Sequence, residues 1–178
     1  MTSREEVSQN RKQQILEAAA SLFAESGYYK TTTAEVARRV GVTQPYVFHF
    51  FKTKEELYLA VLDQASRRIL DAFTTAEAPP EQLTEAMGEA FTRLLVSHRN
   101  EILLVLTSFA APEPTIREYT REGFDAVYER IKARFEEAGL PEPSRKASEF
   151  LGQGMVIALA ETLQLPKLLI WHENKTHG

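Results

Sequence analysis

The chain has 178 residues, of which 43% are apolar and 26% charged, enough for one or two buried cores and outside the range of disordered or fibrous sequences. It holds no cysteine, which removes disulfides, thiolate metal sites and cysteine nucleophiles and fits a reducing, cytoplasmic setting. The net charge is −4, yet residues 1–54 carry eight Lys/Arg against five Asp/Glu while the remainder carries 13 against 20, so only the N-terminal part is suited to meet phosphate.

No stretch approaches the roughly 18 consecutive apolar residues of a membrane helix, and MTSREEVSQNRKQQ is charged where a signal peptide would be apolar. Glycine and proline fall between segments of helical periodicity, and no strand pattern competes. Ile15, Ala18, Ala19, Leu22 and Phe23 predict a first helix from about Asn10 to Ser26, ended by Gly27. Thr32 with Glu35 is a capping box for a short second helix with Val36, Ala37 and Val40 on its apolar face, stopped by Gly41. Thr43 is placed to cap a third helix, Gln44 to Phe50, where Pro45 is tolerated in the first turn.

Thr53 with Glu56 is a second capping box, opening a fourth helix through Leu57, Val61, Ile69 and Phe73 that Pro79 and Pro80 end. A helix over about 81–98, another over about 100–109, a break at Pro112 and Pro114, and a helix from about Ile116 to Gly139 follow. The last, about Ser144 to Gln164, is apolar on more than one side and predicts a face for a second subunit. The pair Gly152 and Gly154 lacks the third glycine of a dinucleotide site and predicts close helix approach or a kink.

Residues Glu35 to Phe51 follow the helix-turn-helix plan: Ala37 is small where the helices cross, Gly41 frees the turn, and Val36, Val40, Val42 and Val47 lock the angle. A short helix held in this way fits the DNA major groove. From Gly27 to Leu57 the sequence GYYKTTTAEVARRVGVTQPYVFHFFKTKEEL resembles the N-terminal signature of the TetR (tetracycline repressor) family. The corresponding residues are Thr31 and Thr32, Val36-Ala37, Val40-Gly41-Val42-Thr43, Val47 to Phe51 and Lys54 to Leu57. Departures are Pro45 for a frequent glycine, Tyr46 for a small residue and Phe48 for a tyrosine.

The resemblance implies an all-α chain with a three-helix DNA-binding head over residues 1–55 and a ligand-binding and dimerisation bundle over 56–178. It implies a homodimeric repressor released from a palindromic DNA operator by a largely apolar inducer. Thr32 or Thr33 and Thr43 are then expected on phosphates, Gln44, Pro45 and Tyr46 on bases, and His49 and Lys54 near phosphate. Arg4, Arg11 and Lys12 form a candidate basic arm, and Phe48 and Phe51 are expected inside the head. For the bundle, Phe91, Leu95, Phe109, Phe124, Tyr128 and Met155 are candidates for the ligand pocket, with plain core packing as the alternative.

His98, His172 and His177 lack the i, i+4 spacing of a helical metal site, and neither a metal nor a cofactor is expected. No phosphate loop, nucleophile elbow or Ser-x-x-Lys signature is present, so no enzyme is expected. The rival reading is a helical module whose head no longer reads DNA, favoured by Pro45, Tyr46 and Phe48 and marked by loss of salt-sensitive DNA binding.

Overall fold

A computed structural model of the protein describes residues 3–169, which contain helices and no strand. In chain order the helices are α1 (Ser3–Lys30), α2 (Thr33–Val40), α3 (Gln44–Phe50), α4 (Lys54–Thr75), α5 (Leu83–Ser97), α6 (Arg99–Thr107), α7 (Pro114–Glu137) and α8 (Pro143–Leu163). Short 3₁₀ turns at Pro80–Gln82 and Ser108–Ala110 lead into α5 and out of α6. No helix among the described residues is long and apolar enough to cross a membrane.

Helix α1 starts well before Asn10. Glu5 and Glu6 in its first turn complement the helix dipole, whereas Val7, 59% exposed, gives that turn no apolar face for periodicity to detect. Gly27 breaks the helix with φ 77° and ψ 168°, and the last turn is tied back by the buried Thr31 hydroxyl, which reaches the carbonyls of Leu22 (3.0 Å) and Gly27 (2.9 Å). This fold-back brings Tyr28 beside the start of α4.

Two apolar clusters organise the chain. The first joins Ile15, Ala19 and Phe23 of α1 to Val36 and Ala37 of α2, Val47 of α3 and Leu57 and Val61 of α4. It also takes in Leu104 of α6 and Ile116 of α7, so the core beneath the head draws on residues well beyond position 55. The second joins Ile69 and Phe73 of α4 to Met87 and Phe91 of α5, Ile102 and Leu106 of α6, Ile131 and Phe135 of α7 and Phe150 of α8.

Helix α6 serves both clusters, and polar ties reinforce the seam between them. Arg68 of α4 pairs with the buried Glu101 of α6, Asn100 Nδ2 donates to Ser21 Oγ at 3.5 Å, and Gln64 Nε2 donates to Gln13 Oε1 at 2.5 Å.

One expectation needs correction. A Cβ built at Gly152 or Gly154 would meet nothing within 4 Å, so neither glycine serves close helix approach within the chain. Of the expected basic arm, the Arg4 side chain lies outside the described residues; so do His172 and His177.

Candidate functional site

The reader begins with how α2 ends. Thr32 and Glu35 form the complete capping box: the Glu35 N–H donates to Thr32 Oγ1 (3.2 Å) and the Thr32 N–H to Glu35 Oε2 (2.9 Å), which satisfies two otherwise orphan donors. At the other end Gly41 adopts φ 71°, and the N–H groups of Gly41 and Val42 return to the carbonyls of Arg38 (3.2 Å) and Ala37 (2.9 Å). That left-handed cap sets where the chain re-enters as α3.

Thr43 stands at the N-cap of α3, but its hydroxyl makes no cap bond. Its carbonyl alone takes the N–H groups of Tyr46 (3.0 Å) and Val47 (3.3 Å). Thr53 does cap α4, accepting from the Glu56 N–H at 3.0 Å. The Glu56 carboxylate, however, reaches the Lys52 N–H (2.8 Å) and not that of Thr53, so the second box is displaced by one residue.

With Val47 fully buried and Phe51 2% exposed, the opposite face of α3 looks outward and presents Thr43, Gln44, Pro45, Tyr46, Phe48 and His49. Phe48 is 40% exposed, against the expectation that it packs inside. Val47 and Phe51, four apart, take the single inward stripe that a seven-residue helix can offer. Tyr46 stacks on His49 with centroids 6.4 Å apart, and both rings lean edgewise on Phe50, giving the exposed face a fixed aromatic surface.

Two expected phosphate contacts hold structural positions. Thr33 is buried and its hydroxyl accepts from Gln44 Nε2 at 2.8 Å, which fixes the first residue of α3 against α2. Lys54 Nζ donates to the Tyr28 carbonyl at 2.9 Å and lies 4.4 Å from the centre of the Tyr28 ring, binding the start of α4 to the fold-back after Gly27. Thr32, Thr43 and His49 are exposed. Arg11 is bonded to Gln14 and Lys12 lies over the Phe51 ring. Sequence reasoning placed Phe48 inside and passed over Lys52, both of which are exposed, on α3 and just after it; a cation directly after the third helix was the available signal for Lys52.

The bundle encloses a cavity of about 760 Å³ among α4, α5, α6, α7 and α8, within the size range of small-molecule sites. Phe91 and Phe124 line it; Leu95, Tyr128 and Met155 do not, and pack in or against the bundle core. Phe109 is 60% exposed. Aromatic walls are braced by Phe73, whose ring meets Phe150 edgewise at 5.3 Å. Sequence reasoning did not find the polar lining, which includes Ser66, Ser108, Tyr119, Thr120 and Gln153.

A profile described as "Bacterial regulatory proteins, tetR family" matches residues 15–61, the span that holds α2, α3 and their supports. The chain is 34% identical over 130 residues to the HTH-type transcriptional repressor AcnR of Corynebacterium diphtheriae, covering 68% of this chain and 64% of that one. Over residues 15–61 the chain is a TetR-family sequence. It is also 30% identical over 129 residues to the HTH-type transcriptional activator FasR of Mycolicibacterium smegmatis, covering 68% of this chain and 58% of that one. These alignments thus span less than two thirds of either relative. The TetR-type fold is shared with the crystal structure of AibR in complex with isovaleryl coenzyme A and operator DNA, at a TM-score of 0.67 and 23% identity, covering 83% of this chain and 85% of that one. The matched relatives are named as regulators of transcription, not as enzymes.

Proposed function

We propose that two copies of this chain bind a palindromic DNA operator and regulate transcription, and that an apolar small molecule in the cavity releases them. The observation that carries this reading is α3: its inward stripe is buried, its entry is set by the Gly41 cap, and its outward face is a row of hydrogen-bonding and aromatic side chains. Gln44 and Tyr46 read base edges in the major groove, with Pro45 and Phe48 supplying apolar contact to thymine methyls. Thr32, Thr43, His49 and Lys52 hold the backbone and set register without reading sequence. Lys54 acts mainly by fixing α4 against α1, its ammonium being engaged by the Tyr28 carbonyl and ring.

One seven-residue helix reads too few base pairs, and a pair of heads about one helical turn apart on DNA gives useful specificity. Helix α8 supports such a pair, since Leu159 and Leu163, 50% and 57% exposed, form an apolar stripe suited to a second copy. The cavity is lined by Val105, Leu106 and Ser108 of α6 and its exit turn, and the same helix sends Leu104 into the head core. A ligand that favours one position of α4 and α6 therefore shifts the heads, so that ligand and operator oppose each other through differential affinity for two conformations. The AibR structure, a complex with isovaleryl coenzyme A and operator DNA, supports this pairing of sites.

The test is binding of the purified protein to DNA from upstream of its own coding region, over a salt series. Gln44→Ala and Tyr46→Ala should relax sequence preference by about 1–3 kcal/mol at the position each reads, and Lys52→Ala should weaken all sequences and lower the salt slope by about 1. Lys54→Ala should lower melting temperature without changing the slope. Absence of preference there and in a selection over random DNA would refute the reading.

A further inference from the structure

We infer that Thr33, buried in the head, sets the base preference of the reader by holding the Gln44 amide with its nitrogen turned to α2 and its carbonyl oxygen outward. Gln44 then reads as a hydrogen-bond acceptor and selects a base that offers an exocyclic amino group in the major groove, adenine N6 or cytosine N4. The inference rests on the DNA-reading proposal above and names what one position of that reader recognises.

The bond itself is the first observation. Gln44 Nε2 donates to Thr33 Oγ1 at 2.8 Å, well inside the range for such a contact. Thr33 is 7% exposed and is the first residue of α2, whose start is fixed by the box between Thr32 and Glu35. The acceptor is therefore part of the packed head. Gln44 is the first residue of α3 and is exposed, and the first turn of a recognition helix is the part that meets base edges.

The start of α3 makes this bond matter. Thr43 gives no side-chain cap and Pro45 has neither an N–H nor freedom in φ, so the bond between Gln44 and Thr33 is a direct tie from the reading residue to α2. Ordering a glutamine is among the larger side-chain entropy losses, and a bond already made in the free protein removes part of that loss from binding. Geometry also restricts the chemistry. A bidentate pair with adenine needs the amide oxygen on N6 and the nitrogen on N7 along one base edge. A nitrogen seated on a buried hydroxyl is drawn off that edge, which leaves the oxygen alone to accept. Guanine O6 and thymine O4 are acceptors themselves and offer that oxygen nothing.

The experiment uses the full chain and a labelled duplex carrying the site selected from random DNA, with binding followed by fluorescence anisotropy. The position in question is the one whose preference Gln44→Ala abolishes. There the wild type should favour adenine or cytosine over guanine and thymine by about tenfold. Removing the amino group, with purine for adenine or pyrimidin-2-one for cytosine, should lose about the same factor, whereas 7-deazaadenine should bind as adenine does. Thr33→Val keeps the side-chain shape without the hydroxyl and should lose about three- to tenfold of the preference at this position alone. Thr33→Ser keeps the hydroxyl and should retain it. Added to Gln44→Ala, Thr33→Val should cost no further preference. A circular dichroism melt checks the fold, and the base-analogue comparisons use the wild-type chain, so they decide the matter even if Thr33→Val is unfolded. A preference for guanine or thymine, a 7-deazaadenine penalty as large as that for losing the amino group, an unchanged preference in Thr33→Val, or equal losses in Thr33→Val and Thr33→Ser overturns the inference. So does a selected site at which Gln44→Ala alters no position. Failure of the wild type to select any sequence overturns the DNA-reading proposal itself.

Discussion

Glycine inside a helix is about 1 kcal/mol less favourable than alanine, yet three helices each place one on the cavity lining: Gly88 in α5, Gly123 in α7 and Gly154 in α8. Crowding does not account for them. A Cβ at Gly123 or Gly154 would meet nothing within 4 Å, and at Gly88 only a Phe150 ring carbon at 4.0 Å. The structure therefore predicts that Gly123→Ala and Gly154→Ala each stabilise the protein by about 1 kcal/mol, raising the melting temperature by about 2–4 °C in a chain of this size. The two lie on different helices, and the double variant should approach about 2 kcal/mol if they act independently. Both positions line the cavity, so an apolar probe such as 1-octanol should bind more weakly to both variants in a calorimetric titration. Gly152→Ala, beside Gly154 but outside the lining, should stabilise the helix and leave the titration unchanged. Calorimetric melts with and without probe measure both effects. A fall in melting temperature for either cavity variant would refute the reasoning, because it would mean that helix or neighbour needs the bare Cα.

Further predictions concern the head and the seam. Thr32→Ala removes the cap that accepts from Glu35 and should cost about 0.5–2 kcal/mol in a urea melt; an unchanged midpoint would show that the box seen at α2 contributes nothing. Ala37 is 3% exposed in the head core, so Ala37→Leu should destabilise by about 1–3 kcal/mol through overpacking and reduce operator binding more than its melt alone explains. His98, between α5 and α6, has its pKa lowered from 6.5 by burial and then by Arg68. The unfolded chain binds that proton first, so its contribution to stability is complete above about pH 6.5 and is lost as pH falls through the lower folded-state value. Urea midpoints should decline over that window, and His98→Gln should flatten the decline; an equally steep variant would assign it elsewhere.

Much of the head could be read in the sequence because its signals are local. Gly41 ends α2, Thr32 and Glu35 box it, Pro45 sits in the first turn of α3, and the prolines after residue 78 end α4. Bonds between distant segments left no such trace. Nothing near Lys54 tells that its ammonium lies on a carbonyl 26 residues earlier, and nothing near Gln44 tells that its amide is held by Thr33. Phe48 shows the weakness of composition: a large aromatic is usually buried, but helical phase gives the inward positions to Val47 and Phe51. In the bundle, periodicity marks which face is inward but not whether that face meets side chains or space. Phe91 and Phe124 adjoin the cavity while Leu95, with the same pattern, sits in the core and Tyr128 and Met155 pack against it.

The shared helix α6 has a consequence for how such chains can be recombined. Because Leu104 and Ile116 complete the core beneath the reader, a head cut after position 55 would leave behind part of its own foundation. A chimera that grafts this reader onto another bundle must carry the matching surface of α6 and the start of α7, or find residues there that fit Ile15, Phe23 and Leu57 equally well. On the proposed reading, recognition and sensing are inherited together, since the head and the cavity share α6 and change in one is constrained by packing in the other.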